Sequence, residues 1–270
     1  METDAEKQIP ETLFKYCDEG ALTGLDSGTM MFSKPLDLND PYEFLPDLSF
    51  LFGGTEQQKR LRLDLESFGY SPYERPPGCL LTDRAHHWIR KVSADWFITS
   101  LSEADHNVRM WAQYSGNHTG LKLTLKLPQE FRENIKQVHY EDARVSISDL
   151  GDPKVESHEK GDLLKRLATT KGKDWEHEKE LRWFFHPQIH PYPHTTFDTK
   201  LLNGKMKAFV PLGDDCIARV TLGYRSSESL LSSLLEIRKK RKARWEVAKA
   251  KLSLHSFQFE EELLQIPDES

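Results

Sequence analysis

The chain has 270 residues, 30% of them charged, and a formal net charge of -6 at pH 7. This length can bury a sizeable core, and the charge argues against wrapping of nucleic acid over the whole surface. The three cysteines are widely spaced without a Cys-x-x-Cys pair, so neither a disulfide framework nor a zinc knuckle is indicated. No apolar run is of membrane-spanning length, and the polar start lacks a secretory signal. We therefore expect a cytoplasmic protein.

The first segments are predicted to be a short helix and a strand over residues 11–33, followed by a turn rich in proline and Asx residues. In this turn, which includes Asn39, Asp40 precedes Pro41 and is biased away from helix, whereas Pro41 suits the first turn of a helix. Two interpretations remain open. Asp40 caps a helix, or a rigid loop projects Asp40 and Glu43 into a pocket.

Residues 95–103 predict an apolar strand that ends in hydroxyl side chains. The period of two places Thr99 and Leu101 on one face and Ser100 and Ser102 on the other. Two hydroxyls on one face can orient a ribose or a phosphate by hydrogen bonding, but they can also cap the next helix.

A short helix is predicted next, because Asn107, Met110, Trp111 and Tyr114 recur at helical spacing. Core packing explains Met110 and Trp111. Tyr114 and the following His118 stand at the end of this stripe, where a phenol and an imidazole could reach a ligand.

The stretch 175–185 has the most pronounced charge pattern. Read as a strand, it places four charged side chains on one face: Glu176, Glu178, Glu180 and Arg182. Adjacent carboxylates tend to raise one another's pKa and a neighbouring arginine lowers it, so the segment could hold a poised acid or base. The alternative is a solvated ladder of ion pairs. Flanking aromatic residues indicate that this face lies beside a substantial apolar core.

The C-terminal third is predicted to contain strands at 207–210 and 216–223, a helix capped by Ser226 or Ser227, and a strand pair at 248–254 and 257–264. The helix ends in a basic run, 238–244, which is either a solvated face or a contact for phosphates or an acidic partner. Short strands outnumber strand-helix-strand repeats. We therefore expect one α+β domain over residues 1–270, with a twisted, mostly antiparallel sheet flanked by helices.

In combination these segments resemble the mostly bacterial and phage-associated family known as domain of unknown function 2971. The resemblance rests on these residues: Phe14, Lys15, Tyr16, Phe32, Ser33, Lys34, Pro35, Leu38, Asn39, Asp40, Pro41, Tyr42, Glu43, Leu101, Ser102, Met110, Trp111, Tyr114, Gly120, Val138, Tyr140, Trp175, Glu178, Glu180 and Arg182. It covers roughly residues 12–223 and leaves the last helix and strand pair, 224–266, outside. The family name implies no particular activity.

A more distant resemblance is to ADP-ribosyltransferase-like toxins of bacterial defence systems. Their first strand has a basic residue between aromatic residues, a later strand has hydroxyls, and a last strand has Glu-x-Glu. The corresponding positions here are Phe14, Lys15 and Tyr16, then Ser100 and Ser102, then Glu178 and Glu180. Lys15 stands where such enzymes usually have His or Arg. The resemblance implies NAD as substrate, Glu180 as the catalytic carboxylate and Glu178 as the group that activates the acceptor.

Three functions follow as hypotheses. The first is ADP-ribosyl transfer from NAD to a protein or nucleic-acid acceptor by a bacterial or phage defence or toxin-like protein. The second is a non-enzymatic binding module, such as an antitoxin, a sensor or the partner of another protein of a defence operon. The third is a metal-dependent nuclease that uses the carboxylates with Asp40 and Glu43. Lys15, Ser100 and Glu180 in one cleft would favour the transferase. A metal held by Asp40 and Glu178 would favour the nuclease, and carboxylates paired on an open surface would favour the binding module.

Overall fold

The computed structural model describes residues 8–56, 58–59, 87, 89–91, 93–146, 148, 164–187 and 197–266. The strands are β1 (Thr12–Cys17), β2 (Thr29–Ser33), β3 (Phe97–Ser102), β4 (Leu121–Lys126), β5 (Ile135–Gln137), β6 (His139–Glu141), β7 (Thr170–Gly172), β8 (Glu180–Phe185), β9 (Asp198–Leu202), β10 (Lys205–Pro211), β11 (Ile217–Leu222), β12 (Glu246–Leu252) and β13 (Phe259–Leu263). The α-helices are α1 (Ala21–Ser27), α2 (Val108–Tyr114), α3 (Gln129–Arg132) and α4 (Glu228–Arg241). Residues 164–169 are also helical.

Most strands form one large, mostly antiparallel sheet, which confirms the predicted α+β class. Its order is β13-β12-β11-β4-β1-β3-β2-β10-β9, and β8 joins it by pairing with β3 and β5. β11 and β12 are parallel, and β6 and β7 form a separate parallel pair. None of the helices within the described residues is both long and apolar enough to cross a membrane.

The sheet opens along one edge of β3. β8 occupies the other edge over the full length of β3, from Phe97 to Ser102. The remaining edge is shared, because β1 pairs only at Ser102 and β2 only at Ile98. Between these two points the Lys15 amine donates to the Ser100 carbonyl oxygen at 3.1 Å. The Lys15 side chain thus hydrogen-bonds a backbone carbonyl group of β3 that neither β1 nor β2 pairs with. The divergence of β1 and β2 leaves room for cavities.

Alternation along β8 separates core from charge, as the sequence predicts for this part. Leu181 and Trp183 lie in the main apolar core, where the Trp183 ring packs on Phe32 and Phe131 with centroid distances of 5.3 and 5.0 Å. Arg182 points to the other face, towards the ring of Phe44. A buried charge so close to the core needs paired partners.

Two local predictions are wrong. Residues 11–33 form strand, helix and strand, because β1 pairs with β4 along its whole length and α1 begins only after it. Residues Lys173–Glu178 form a 3-10 helix, and Lys179 has a positive φ of 45°. β8 therefore begins at Glu180, and Glu176 is exposed, outside the predicted row of carboxylates.

Candidate functional site

A small cavity of about 100 Å³ lies where β1 and β2 diverge. It is lined by most of the candidate residues from the sequence, which are Lys15, Tyr16, Asn39, Glu43, Ser100, Ser102, Tyr114, Glu178 and Glu180. Side chains from β1, β3, β8 and α2 thus converge on one volume. Asp40, Arg182 and His118 do not line it.

Glu180 is held from behind by Arg182. Arg182 Nε donates to Glu180 Oε1 at 3.0 Å, and Nη1 donates to the Ala168 carbonyl oxygen at 2.6 Å. Burial by itself would raise the pKa of Glu180, but Arg182 and Lys171 outweigh it and lower the pKa to about 2, with a further contribution from a hydrogen bond with Ser100. Glu180 is therefore ionised at neutral pH.

Lys171 of β7 is the second cation of the cluster, and no sequence pattern assigned it a role. Its Nζ lies 2.6 Å from Glu178 Oε2 and 3.0 Å from Glu180 Oε2. Burial alone would lower the pKa of Lys171, but the two glutamates raise it overall. A signal was present, because one guanidinium cannot neutralise several buried carboxylates, so a further cation was required.

Glu178 is the last residue of the 3-10 helix, and the backbone turns at Lys179. This turn places the Glu178 side chain in the cavity with Glu180, although Glu178 is not part of β8. The Tyr114 hydroxyl donates to Glu178 Oε1, and Asn39 hydrogen-bonds the same hydroxyl. Burial, and then Glu178, raise the pKa of Tyr114 far above its ordinary value. The phenol therefore remains a protonated donor at all ordinary pH values.

Asp40 and Glu43 have separate roles, and both interpretations of their loop hold in part. Asp40 Oδ1 accepts a hydrogen bond from the Tyr42 amide at 2.9 Å, so its side chain caps the turn. Glu43 enters the cluster, because its Oε1 lies 2.6 Å from Arg182 Nη2 in a buried ion pair. Burial raises the pKa of Glu43 to about 7, although Arg182 opposes the shift. The cavity thus holds a carboxyl that titrates near neutral pH.

Two of the predicted site residues, Ser102 and Tyr16, use their hydroxyl groups in hydrogen bonds with the backbone. Ser102 Oγ donates to the Glu178 carbonyl oxygen at 2.5 Å and accepts from the Ala104 amide at 2.9 Å. The Tyr16 hydroxyl donates to the Ala104 carbonyl oxygen at 2.9 Å. Ser102 and the Tyr16 hydroxyl therefore hold the strand ends together. His118 lies elsewhere, with its ring 5.5 Å from that of Phe259.

An open cleft of about 590 Å³ adjoins the cavity, and Lys171 lines both. Tyr42, Trp175 and Asp40 line this cleft, and the Lys171 amine lies 4.6 Å from the centre of the Trp175 ring. Asp40 and Glu178 therefore line different spaces, so the metal pair expected of a nuclease is not assembled. Within the described part of the chain, no group of three or more His, Cys, Asp or Glu is placed to hold a metal ion.

For a binding module we expected paired carboxylates on an open surface, and the carboxylates of this cluster are buried instead. The carboxylates are paired, but Glu43, Glu178 and Glu180 are buried and present no open acidic surface. In the basic run, Arg238 donates to the Trp245 carbonyl oxygen and Arg241 forms an ion pair with Asp214. Part of the run is thus used within the chain.

The chain matches no family model, no curated protein and no solved structure. Both resemblances therefore remain predictions.

Proposed function

We propose that this protein transfers ADP-ribose from NAD to a macromolecular acceptor, as a bacterial or phage defence or toxin-like protein. One observation supports this most strongly. Lys15 of β1, Ser100 of β3 and Glu180 of β8, which are distant in sequence, line the same small cavity. These are the three positions at which the resemblance to ADP-ribosyltransferases expects a basic residue, a hydroxyl and the catalytic carboxylate.

The charge state of Glu180 suits this chemistry. Cleavage of the bond between nicotinamide and ribose leaves positive charge on the ribose, while nicotinamide departs with the bonding electrons. A fixed, ionised carboxylate stabilises such charge without reorganisation. Glu180 is ionised because Arg182 and Lys171 hold it so. Arg182 is fully buried behind the cavity, so we assign it a positioning role.

Two further carboxylates of the cavity, Glu178 and Glu43, are our candidates for receiving the proton of the acceptor. Glu178 is oriented by Tyr114 and Lys171. Glu43 lines the same cavity, and its pKa of about 7 is that of a general base poised at neutral pH. We propose that Glu178 orients the acceptor. The proton of the acceptor then passes to Glu178 or to Glu43.

The space available fits part of the substrate. A cavity of about 100 Å³ has room for one small ring, whereas whole cofactors occupy roughly 300 Å³ or more. Phe14, Tyr16, Tyr114 and Ser100 line it, and this mixture of aromatic and hydroxyl side chains suits the nicotinamide ring. The remainder of NAD would extend into the adjoining space.

Incubation with labelled NAD and a cell extract tests the proposal. Wild-type protein is expected to transfer label to an acceptor, and Glu180→Gln to abolish the transfer. Glu176→Gln is the matched control, because Glu176 belongs to the same segment but is exposed. Circular dichroism establishes whether each variant is folded. No transfer by the folded wild-type protein with any extract would refute the proposal and favour a binding module.

A further inference from the structure

A further cavity, of about 430 Å³, shares Lys15 with the candidate site. We propose that it binds the phosphate groups of a nucleotide. Residues of β1, α1, β2, β9 and β10 line it, and four of them are lysines: Lys15, Lys200, Lys205 and Lys207. The inference stands without the transferase proposal, because binding requires no turnover.

The lysines of β9 and β10 are placed where their charges repel one another, which destabilises the sheet. Lys200 and Lys207 are directly opposite in the antiparallel register, and like charges in this relation destabilise a sheet. Lys205 is on the same face of β10 as Lys207, since the two lysines are two positions apart. Three ammonium groups therefore share one side of the sheet. An anion bound between them would remove the repulsion.

Carboxylates only partly offset this charge, since Asp18 is the one acidic residue in the described lining, against four lysines. Asp37 lies 3.7 Å from Lys207 Nζ and 3.9 Å from Lys205 Nζ, beyond hydrogen-bond distance. The Lys207 amine donates instead to the Ser33 hydroxyl at 2.9 Å. Burial lowers the pKa of Lys207, and the neighbouring Lys205 lowers it further against the effect of Asp37. These contacts leave the amines capacity for further acceptors, since each ammonium has three protons to donate.

Lys15 connects the two cavities, because it lines both. The hydrogen bond of its amine is to the Ser100 carbonyl oxygen, a neutral acceptor. A ligand anion on either side would thus meet a buried amine that no carboxylate touches among the described contacts. Lysine binds phosphate as a point charge, which suits this arrangement.

The remaining wall suits the organic part of a nucleotide. Phe209 of β10 and Met31 of β2 are paired across the strands and both line the cavity. The Lys200 amine lies 5.3 Å from the centre of the Phe209 ring. Apolar surface beside convergent cations is typical of small-molecule sites, and the volume is within their usual range. A free nucleotide and the end of a nucleic-acid strand offer the same phosphate chemistry.

Isothermal titration calorimetry with the full chain tests the assignment. The probes are ADP, adenosine and a short 5′-phosphorylated single-stranded oligonucleotide. ADP has no nicotinamide, so its binding is independent of any transferase activity. The variants are Lys200→Gln, the double variant Lys200→Gln/Lys207→Gln, and Lys126→Gln as control. Lys126 is exposed on β4, outside the cavity.

We expect ADP to bind the wild type and Lys126→Gln equally, adenosine to bind far more weakly, and the double variant to lose about tenfold or more in ADP affinity. Lys200→Gln alone is expected to leave the thermal midpoint of the unliganded protein unchanged or higher, since repulsion is relieved. Lysine-dependent binding of the oligonucleotide but not of ADP would assign the phosphates to a nucleic-acid end. Equal affinity of the wild type and the folded double variant for every phosphate probe, or no binding by the wild type, would overturn the proposal.

Discussion

Arg182 links Glu180, its neighbour on the same face of β8, to Glu43 in the loop after β2. Its Nε is 3.0 Å from Glu180 Oε1, and its Nη2 is 2.6 Å from Glu43 Oε1. The guanidinium is 0% exposed. One fully buried cation thus holds a strand carboxylate and a loop carboxylate in the same cluster, and the cavity depends on that connection.

Removal of this cation is expected to be costly. Arg182→Met should lower the free energy of unfolding by about 3–5 kcal/mol, because two buried carboxylates lose their partner. Lys251→Met is the control, since its ion pair with Glu262 is about half exposed and is worth about 0–1 kcal/mol. Urea unfolding at pH 7 measures both. Equal losses in the two variants would show that the cluster does not depend on Arg182.

The raised pKa of Glu43 predicts that the free energy of unfolding decreases as pH rises. Its pKa is about 7 in the folded protein against 4.5 for the ordinary group, so the folded state binds the proton more tightly. The free energy of unfolding should therefore fall as pH rises from about 4.5 to 7, by about 3 kcal/mol at most. Glu180 contributes in the opposite sense and in a lower window, because its stabilisation is lost as pH falls from 4.5 towards about 2.

Glu43→Gln is the variant that isolates this effect. Its unfolding free energy should lack the decline between about pH 4.5 and 7, and the other titrating groups cancel in the difference from wild type. Denaturant unfolding at a series of pH values provides the comparison. Parallel curves for the two proteins over this window would contradict the assignment of the raised pKa to Glu43.

The Tyr114 hydroxyl is expected to contribute to stability through its hydrogen bond to Glu178. Tyr114→Phe keeps the ring but leaves Glu178 Oε1 without its donor, so the unfolding free energy should fall by about 1–3 kcal/mol. Tyr42→Phe is the matched control, since Tyr42 is 63% exposed, and its effect should be within about 0.5 kcal/mol. An unfolding free energy that is unchanged in Tyr114→Phe would mean that Glu178 is oriented by Lys171 alone.

Local patterns predicted much of the framework. Alternation predicted the faces of β3 and of the second half of the Glu-rich segment, and helical spacing predicted α2. That spacing placed Asn107 within the helix, whereas Asn107 is its N-cap and accepts from the amides of Arg109 and Met110. These features depend on neighbours in sequence. They are therefore the ones that a single sequence can specify.

The rest depends on distant contacts. Alternating charges favour a strand through Glu178, yet the chain forms a 3-10 helix there and turns at Lys179, a residue type that rarely signals a positive φ. Lys171 joins the cluster because β7 pairs with β6 and lies beside the turn, which no spacing indicates. The opening between β1 and β2 likewise follows from the register of three strands on β3.

Nicotinamide release from NAD tests the central claim most directly. Wild-type protein with extract should release nicotinamide, and Glu180→Asp, which keeps the charge but withdraws the carboxylate by one methylene, should fold and lose most of that release. Glu176→Gln should retain the wild-type rate. Release that is unchanged in folded Glu180→Asp and Glu180→Gln, or absent from the wild-type protein, would contradict the proposal that Glu180 acts on NAD in this cavity.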